Sequence, residues 1–102
     1  MAINVNLNIH WNAPDYVWDK VSEVCKSMDY YDATSDIPRW STGDYYIEYS
    51  SEPSGLQLYG NMPEDMWNKW YATFKERLTD ALGYEIGEPE DGFEFKYDWE
   101  YF

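Results

Sequence analysis

The sequence predicts an α+β domain in which a four-stranded antiparallel sheet carries two helices on one face. Three observations lead to that expectation. Apolar and polar residues alternate in four short stretches, the period of a half-buried strand. Two stretches between them repeat near every 3.6 residues, the period of an amphipathic helix. The order is strand, helix, strand, strand, helix, strand over 102 residues, a length that suits one domain, 1–102.

The first strand reads Ile3-Asn4-Val5-Asn6-Leu7-Asn8-Ile9-His10, with the aliphatic residues on one side and the Asn residues and His10 on the other. Residues 12–28 change period, and Val17, Trp18, Val21, Val24, Cys25 and Met28 fall on one helical stripe. Asn12 is the expected N-cap, with Pro14 and Asp15 suited to the first turn. Residues 29–44 hold Asp, Ser, Thr, Pro38 and Gly43 and read mainly as loop, where Ile37, Arg39 and Trp40 could add a short extra strand. Tyr45, Ile47 and Tyr49 then alternate with Tyr46, Glu48 and Ser50. After a turn over 51–54 closed by Gly55, Leu56 and Leu58 alternate with Gln57 and Tyr59, so these two strands are expected to form a hairpin. Residues 61–82 carry the longest helical signal, with Asn61 as cap, Pro63 and Glu64 in the first turn and Gly83 at the end. Its apolar face is Met66, Trp67, Trp70, Phe74, Leu78, Ala81 and Leu82. An acidic Gly/Pro loop over 84–92 leads to a fourth strand over 93–101, where Phe93, Phe95, Tyr97, Trp99 and Tyr101 alternate with Glu94, Lys96, Asp98 and Glu100.

This order is the split β-α-β arrangement of ferredoxin-like domains, for which a strand order 4-1-3-2 is expected. An internal correspondence agrees with it. The stretch from Asn12 to Val21 aligns with that from Asn61 to Trp70 at an offset of 49 residues, and Leu7, Ile9 and Gly43 match Leu56, Leu58 and Gly92 at the same offset. The expectation is two βαβ halves related by a pseudo-twofold, although two capped helix starts would share Asn, Pro and an acid without any duplication. The apolar side of every strand then faces the helices, with Phe95 and Trp70 in the core. The other side forms an open face: Glu94, Lys96, Asp98 and Glu100 on one edge, then Asn4, Asn6, Asn8 and His10, then Gln57 and Tyr59, then Tyr46, Glu48 and Ser50. It carries no aliphatic residue, so neither a second helical layer nor an apolar dimer is expected across it.

Seven Lys and Arg against twenty Asp and Glu give a net charge of −13. That balance argues against binding phosphate backbones or anionic membranes directly. No apolar run approaches the roughly 18 residues of a membrane-spanning helix. An aromatic content of 21% is far above that of disordered acidic chains. Met1-Ala2-Ile3-Asn4-Val5 lacks the basic start of an export signal, and the lone Cys25 allows no internal disulfide, so the cytoplasm is the expected compartment.

Residues suited to catalysis are few. Cys25 falls on the apolar stripe of the first helix, where a cysteine is an inert small hydrophobe more often than a nucleophile. His10 has no partner at a meaningful spacing for general-base work. His and Cys show no zinc spacing, and Asp29, Asp32 and Asp36 lack the Gly and closing Glu of a calcium loop, so no metal or cofactor is expected. There is no Gly-rich phosphate loop. With twenty acids in the chain, a carboxylate pair carries no specificity for glycoside chemistry.

The signals favour binding. Residues 84–102 hold seven acids and one cation, Lys96, interleaved with Tyr84, Tyr97, Trp99 and Tyr101. Acids with aromatic anchors suit a basic protein surface. The candidate partner-binding residues are Tyr46, Glu48 and Tyr59 on the open face, with Glu90, Asp91, Glu94, Asp98 and Glu100 toward the C-terminus. The stretch from Gly83 through Gly87, Pro89 and Gly92 to Tyr97, following a Trp-rich helix, resembles the ending of small acidic immunity proteins of bacterial toxin–immunity systems, over residues 55–97. The resemblance implies a cytoplasmic inhibitor that caps a basic toxin domain, and it transfers no site residues. The alternative is a phage-type acidic mimic of nucleic acid, an anti-restriction or anti-CRISPR inhibitor. A third class is a small-ligand or carbohydrate module using Trp11, Trp40 and exposed Tyr.

Overall fold

The computed structural model describes residues 1–99 of the chain. Its elements are β1 (Ala2–Leu7), α1 (Asp15–Ser27), β2 (Arg39–Thr42), β3 (Tyr45–Glu52), β4 (Gly55–Asn61), α2 (Glu64–Leu82) and a 3-10 turn at Pro89–Asp91. The four strands form one antiparallel sheet in the order β1-β4-β3-β2. The α+β class and the neighbours β1-β4-β3 agree with the sequence, but the order is not ferredoxin-like. Residues 93–99 form no strand, and the remainder of the expected strand, including Tyr101, lies outside the described residues. The fourth position is filled on the opposite edge by β2, the short stretch around Arg39 and Trp40.

The strand phases follow side-chain alternation. Ile3 and Leu7 of β1, Leu56 and Leu58 of β4, Ile47 of β3 and Trp40 of β2 are all buried on one side. Register places them in rows: Leu7 opposite Leu56, and Ile3, Gly60, Ile47 and Trp40 in line across the sheet. Gly60 sits in that row at φ 151°, where a Cβ would strike the backbone carbonyl of Tyr46, so only glycine fits. The β2–β3 hairpin turns at Gly43, whose φ of 57° supplies the positive value required at the first position of a two-residue loop.

Both helices bury most of their expected stripes against this side, with Trp18, Met66 and Ala81 only half-buried. Val17, Val21, Val24 and Cys25 of α1 and Trp67, Trp70, Phe74, Leu78 and Leu82 of α2 are buried. Trp40 is fully enclosed where the layers meet: its indole N–H donates to the Cys25 carbonyl at 3.0 Å, and its ring lies 4.8 Å from Trp70 and 5.5 Å from Phe74. Trp40 is therefore a core residue and unavailable as a carbohydrate platform. Tyr71 is buried as well, with its hydroxyl donating to Glu88 Oε2 at 2.9 Å.

The two helix starts do correspond, two residues later than the expected caps. Pro14 (φ −59°, ψ 156°) and Pro63 (φ −57°, ψ 143°) occupy the N-cap positions without side-chain capping bonds. Proline fixes φ near the helical value while its extended ψ turns the chain in. Asn12 instead donates its N–H to His10 Nδ1 at 3.1 Å, and Asn61 is the last residue of β4. The 49-residue correspondence ends there: β4 runs directly into its helix, whereas β1 stops at Leu7.

Asn8 is the reason. It is the one buried polar residue among those described, at 0% exposure. Its amide donates to the carbonyls of Glu85 (3.0 Å) and Glu94 (2.7 Å), and its Oδ1 accepts the Gly87 N–H at 2.9 Å. Its backbone N–H donates to the Gly87 carbonyl at 3.0 Å, and its carbonyl accepts the Tyr84 hydroxyl at 2.7 Å. These bonds draw residues 84–94 across the end of β1. Phe95 consequently packs on the His10 ring, 6.2 Å away, and is only half-buried, while Tyr97 is 68% exposed.

Asn8→Ala should cost about 3 kcal/mol or more, because it strands the Gly87 N–H and two carbonyls. Trp70→Ala should cost about 3–5 kcal/mol and Phe95→Ala only about 1–2 kcal/mol, since less of that ring leaves water. Urea melts of the three variants check the ranking; a cost for Phe95→Ala equal to that of Trp70→Ala would contradict it.

Candidate protein-interaction surface

The side of the sheet away from the helices is exposed or half-buried along its length. Register sets three rows across it. Ala2, Asn61, Tyr46 and Ser41 form one; Asn4, Tyr59, Glu48 and Arg39 the next; Asn6, Gln57 and Ser50 the third. Tyr46, Glu48 and Tyr59 are thus brought together as expected, with Glu48 directly opposite Tyr59 and Tyr46 on the adjoining row. Directly opposed side chains on a sheet have Cβ atoms about 5 Å apart, so the three form a single patch.

The neighbours of this patch change its electrostatics. Arg39, contributed by β2, pairs with Glu48 and lies 3.8 Å from Asp32, and its guanidinium sits 4.4 Å from the Tyr46 ring centre. Glu48 is therefore a paired carboxylate, and Tyr46 is braced by a cation on its face. The amides are also partnered: Gln57 donates to Asn4 Oδ1 at 2.9 Å and the Ser54 hydroxyl to Asn6 Oδ1 at 3.0 Å. The Asn residues of β1 thus serve cross-strand hydrogen bonding. Asn8 and His10 do not belong to this face, because the strand ends at Leu7.

The acidic candidates lie elsewhere. Glu90 and Asp91 are exposed on the 3-10 turn, Glu94 exposes its side chain while its carbonyl binds Asn8, and Asp98 pairs with Lys96 at 2.9 Å. The Lys96 bond holds the Asp98 carboxyl below the usual range. Glu94 and Asp98 were expected on a strand bordering the open face; without that strand they sit on the segment that Asn8 anchors. Glu100 lies outside the described residues. No hydrogen bond or ion pair joins these acids to the Tyr46, Glu48 and Tyr59 patch among the described residues.

Groups with chemical potential are committed to structure. Burial pushes the Cys25 thiol from 9.0 up to about 12, which opposes thiolate formation. Asp32 accepts bonds from the Thr34 N–H and hydroxyl and faces Arg39, and the Thr34 bonds, first of all, hold its carboxyl low. Among the described residues no set of three or more His, Cys, Asp or Glu is arranged to hold a metal ion, and no helix is long and apolar enough to cross a membrane. His10 packs edge-on to Phe95 and Tyr97 and tilted to Trp11, which is 52% exposed, and it lines a cleft with Lys96, Tyr97 and Trp99.

Two buried hydroxyls tie the acidic loop to the core. Burial, then the Glu88 carboxylate, raises the Tyr71 pKa, and burial raises that of Tyr84. Burial also pushes Tyr49 from 10.0 up to about 12. Each folded value lies above the unfolded one, so the stabilisation is complete below the unfolded pKa and is lost as pH rises. Stability should hold to about pH 9, where unfolded Cys25 begins to ionise, and fall toward pH 12, with Tyr71→Phe losing less above pH 10. Urea melts across this range check it; stability unchanged at the upper end would mean the hydroxyls are solvated.

The chain matches no protein-family model, and no curated protein or solved structure matches it at a significant level.

Proposed function

We propose that the chain is an inhibitory binding protein: an immunity protein that occludes a cationic surface of a bacterial toxin domain in the cytoplasm, by contact and without chemistry of its own. One observation carries the reading. Tyr46 and Tyr59 stand together on a sheet face that no described helix covers, in a protein whose net charge is −13. Tyrosines, one of them braced by Arg39, supply contact area at low entropic cost, and the acid excess steers a basic partner toward them. The anchored loop with Glu85, Glu90, Asp91 and Glu94 exposed supplies much of that field. Cys25 in the core suits a reducing compartment. A nucleic-acid mimic would need rows of acids at phosphate-like spacing, whereas the open face interleaves Glu48 with Arg39, Asn4, Asn6 and Gln57.

The test uses a cationic toxin domain encoded beside the gene. Co-expression should restore growth. In surface-based kinetics, association should slow steeply between about 50 and 500 mM salt, as screening shortens the field. The Tyr46→Ala, Tyr59→Ala double variant should dissociate faster with little change in melting temperature. Salt-indifferent association together with wild-type affinity in that variant would overturn the reading, as would an enzymatic activity abolished by Cys25→Ser or His10→Ala.

A further inference from the structure

The two edges of the sheet are finished differently. Beside β2, the Asp32 N–H donates to the Arg39 carbonyl at 2.8 Å, the Ser41 N–H donates to the Tyr30 carbonyl at 2.8 Å, and Tyr31 bridges Trp40. The 30–32 segment thereby closes that edge, with Tyr30 held at φ 70° to do so. β2 is also only four residues long, follows Pro38 and carries Arg39. Short length, proline, charge and cover are the usual guards of a sheet edge. β1 is less guarded: it is six residues, Ala2–Leu7, without charge or proline, and no described residue bonds to its outward backbone groups before Asn8.

The phase of β1 follows from its hydrogen bonds. The Met62 N–H donates to the Met1 carbonyl at 3.1 Å, and Ala2 lies opposite Asn61. In an antiparallel pair, residues that exchange ladder bonds alternate with residues whose N–H and C=O point away. Ile3, Val5 and Leu7 therefore bond to β4, while Ala2, Asn4, Asn6 and Asn8 turn their backbone groups outward. Asn8 confirms the phase, since Gly87 and Tyr84 take its outward N–H and C=O. Beyond Asn8, no bond to the outward groups of Asn6, Asn4 and Ala2 is formed among the described residues. The acidic segment ends at this edge. Asn8 pins Glu85, Gly87 and Glu94 there, and residues 85–94 hold five acids and no Lys or Arg.

We infer that the outward edge of β1 is a docking site for an extended strand of a basic partner protein, which adds a fifth strand to the sheet with its cationic end against residues 85–94. The basic character of the partner rests on the inhibitor reading above; the docking mode rests on the edge itself. A second copy fits poorly, because it would bring its own charge of −13 to the same edge. Backbone bonds would give affinity and the acidic segment a preference for Lys and Arg.

The probe is a short peptide alternating Lys and Val, compared with the same peptide N-methylated at the residues whose N–H would face β1. The amide resonances of Ala2, Asn4 and Asn6 should shift on titration. N-methylation should weaken binding by about tenfold or more, a loss of about 1.4 kcal/mol. Asn4→Pro should weaken the unmodified peptide similarly, since the Asn4 N–H serves no bond to β4 and its loss leaves the sheet intact. If that variant misfolds, the two peptides on the native protein still decide. Equal binding of the two peptides, binding of neither, or shifts confined to the Tyr46 and Tyr59 face would overturn the inference. So would a concentration-dependent dimer broken by Asn4→Pro. A toxin domain that fails to bind while the peptide docks at β1 would sink the inhibitor reading and leave the edge standing.

Discussion

A single buried amide decides the shape of this protein. Asn8 has two amide donors, a carbonyl acceptor and its own backbone pair, and all are used on residues 84–94. A buried polar group must find such partners, and a primary amide is the side chain that both donates twice and accepts. Asp could not donate to the carbonyls of Glu85 and Glu94, and an aliphatic residue would leave them unsatisfied. Meeting this demand stops β1 at Leu7 and carries the chain after α2 across the end of the sheet. It also puts an acid-rich segment beside the strand. The edge, the acidic shoulder and the exposure of Tyr97 all follow from it.

Around that constraint the molecule separates its two unusual contents. One group of aromatic residues converges inside: Trp40 lies against Trp70 and Phe74, and Trp67 stacks on Tyr71 at 4.5 Å. The acids remain outside, and several of the seven cations are already engaged. Arg39 is held between Asp32 and Glu48, Arg77 donates to the Ser27 carbonyl at 2.8 Å, and Lys96 pairs with Asp98. Such committed cations fix local geometry, and with seven of them against twenty acids the net field stays strongly negative. Under the proposed inhibitor function, contact would fall to the sheet with its tyrosines and steering to the loop with its carboxylates.

Much of the fold was legible because side-chain period is a local property. The phases of β1, β3 and β4 and the stripes of both helices follow from alternation and from 3.6-residue spacing, and with the phases came the grouping of Tyr46, Glu48 and Tyr59. What failed depends on distant partners. Phe93 to Tyr101 alternates as well as any strand, yet the described part of it forms none, since Asn8 takes its neighbours first. β2 was visible only as a short extra strand around Ile37, Arg39 and Trp40; its extent, Arg39–Thr42, and its pairing with β3 were hidden among loop-forming residues. With it were hidden the burial of Trp40 and the pairing of Arg39 with Glu48. Asn12 and Asn61 looked like caps because Asn caps helices well, whereas the prolines two positions later set both starts. The Asn8 burial had one visible signal: Asn is disfavoured in strands, and three in alternation asked for a reason. Cross-strand bonds supply it at Asn4 and Asn6, and the C-terminal segment supplies it at Asn8.

Asn8 diverts the chain, and no described residue hydrogen-bonds along the flank of β1 before it. Native-state amide hydrogen exchange on the free protein tests it most directly, because outward amides of a bare edge exchange freely while laddered ones do not. Protection should alternate: Ala2, Asn4 and Asn6 exchange as if unprotected, and Ile3, Val5, Leu7, Asn8 and Gly87 are protected. Uniform protection from Ala2 to Leu7 would contradict it, for it would mean that a strand already covers this edge.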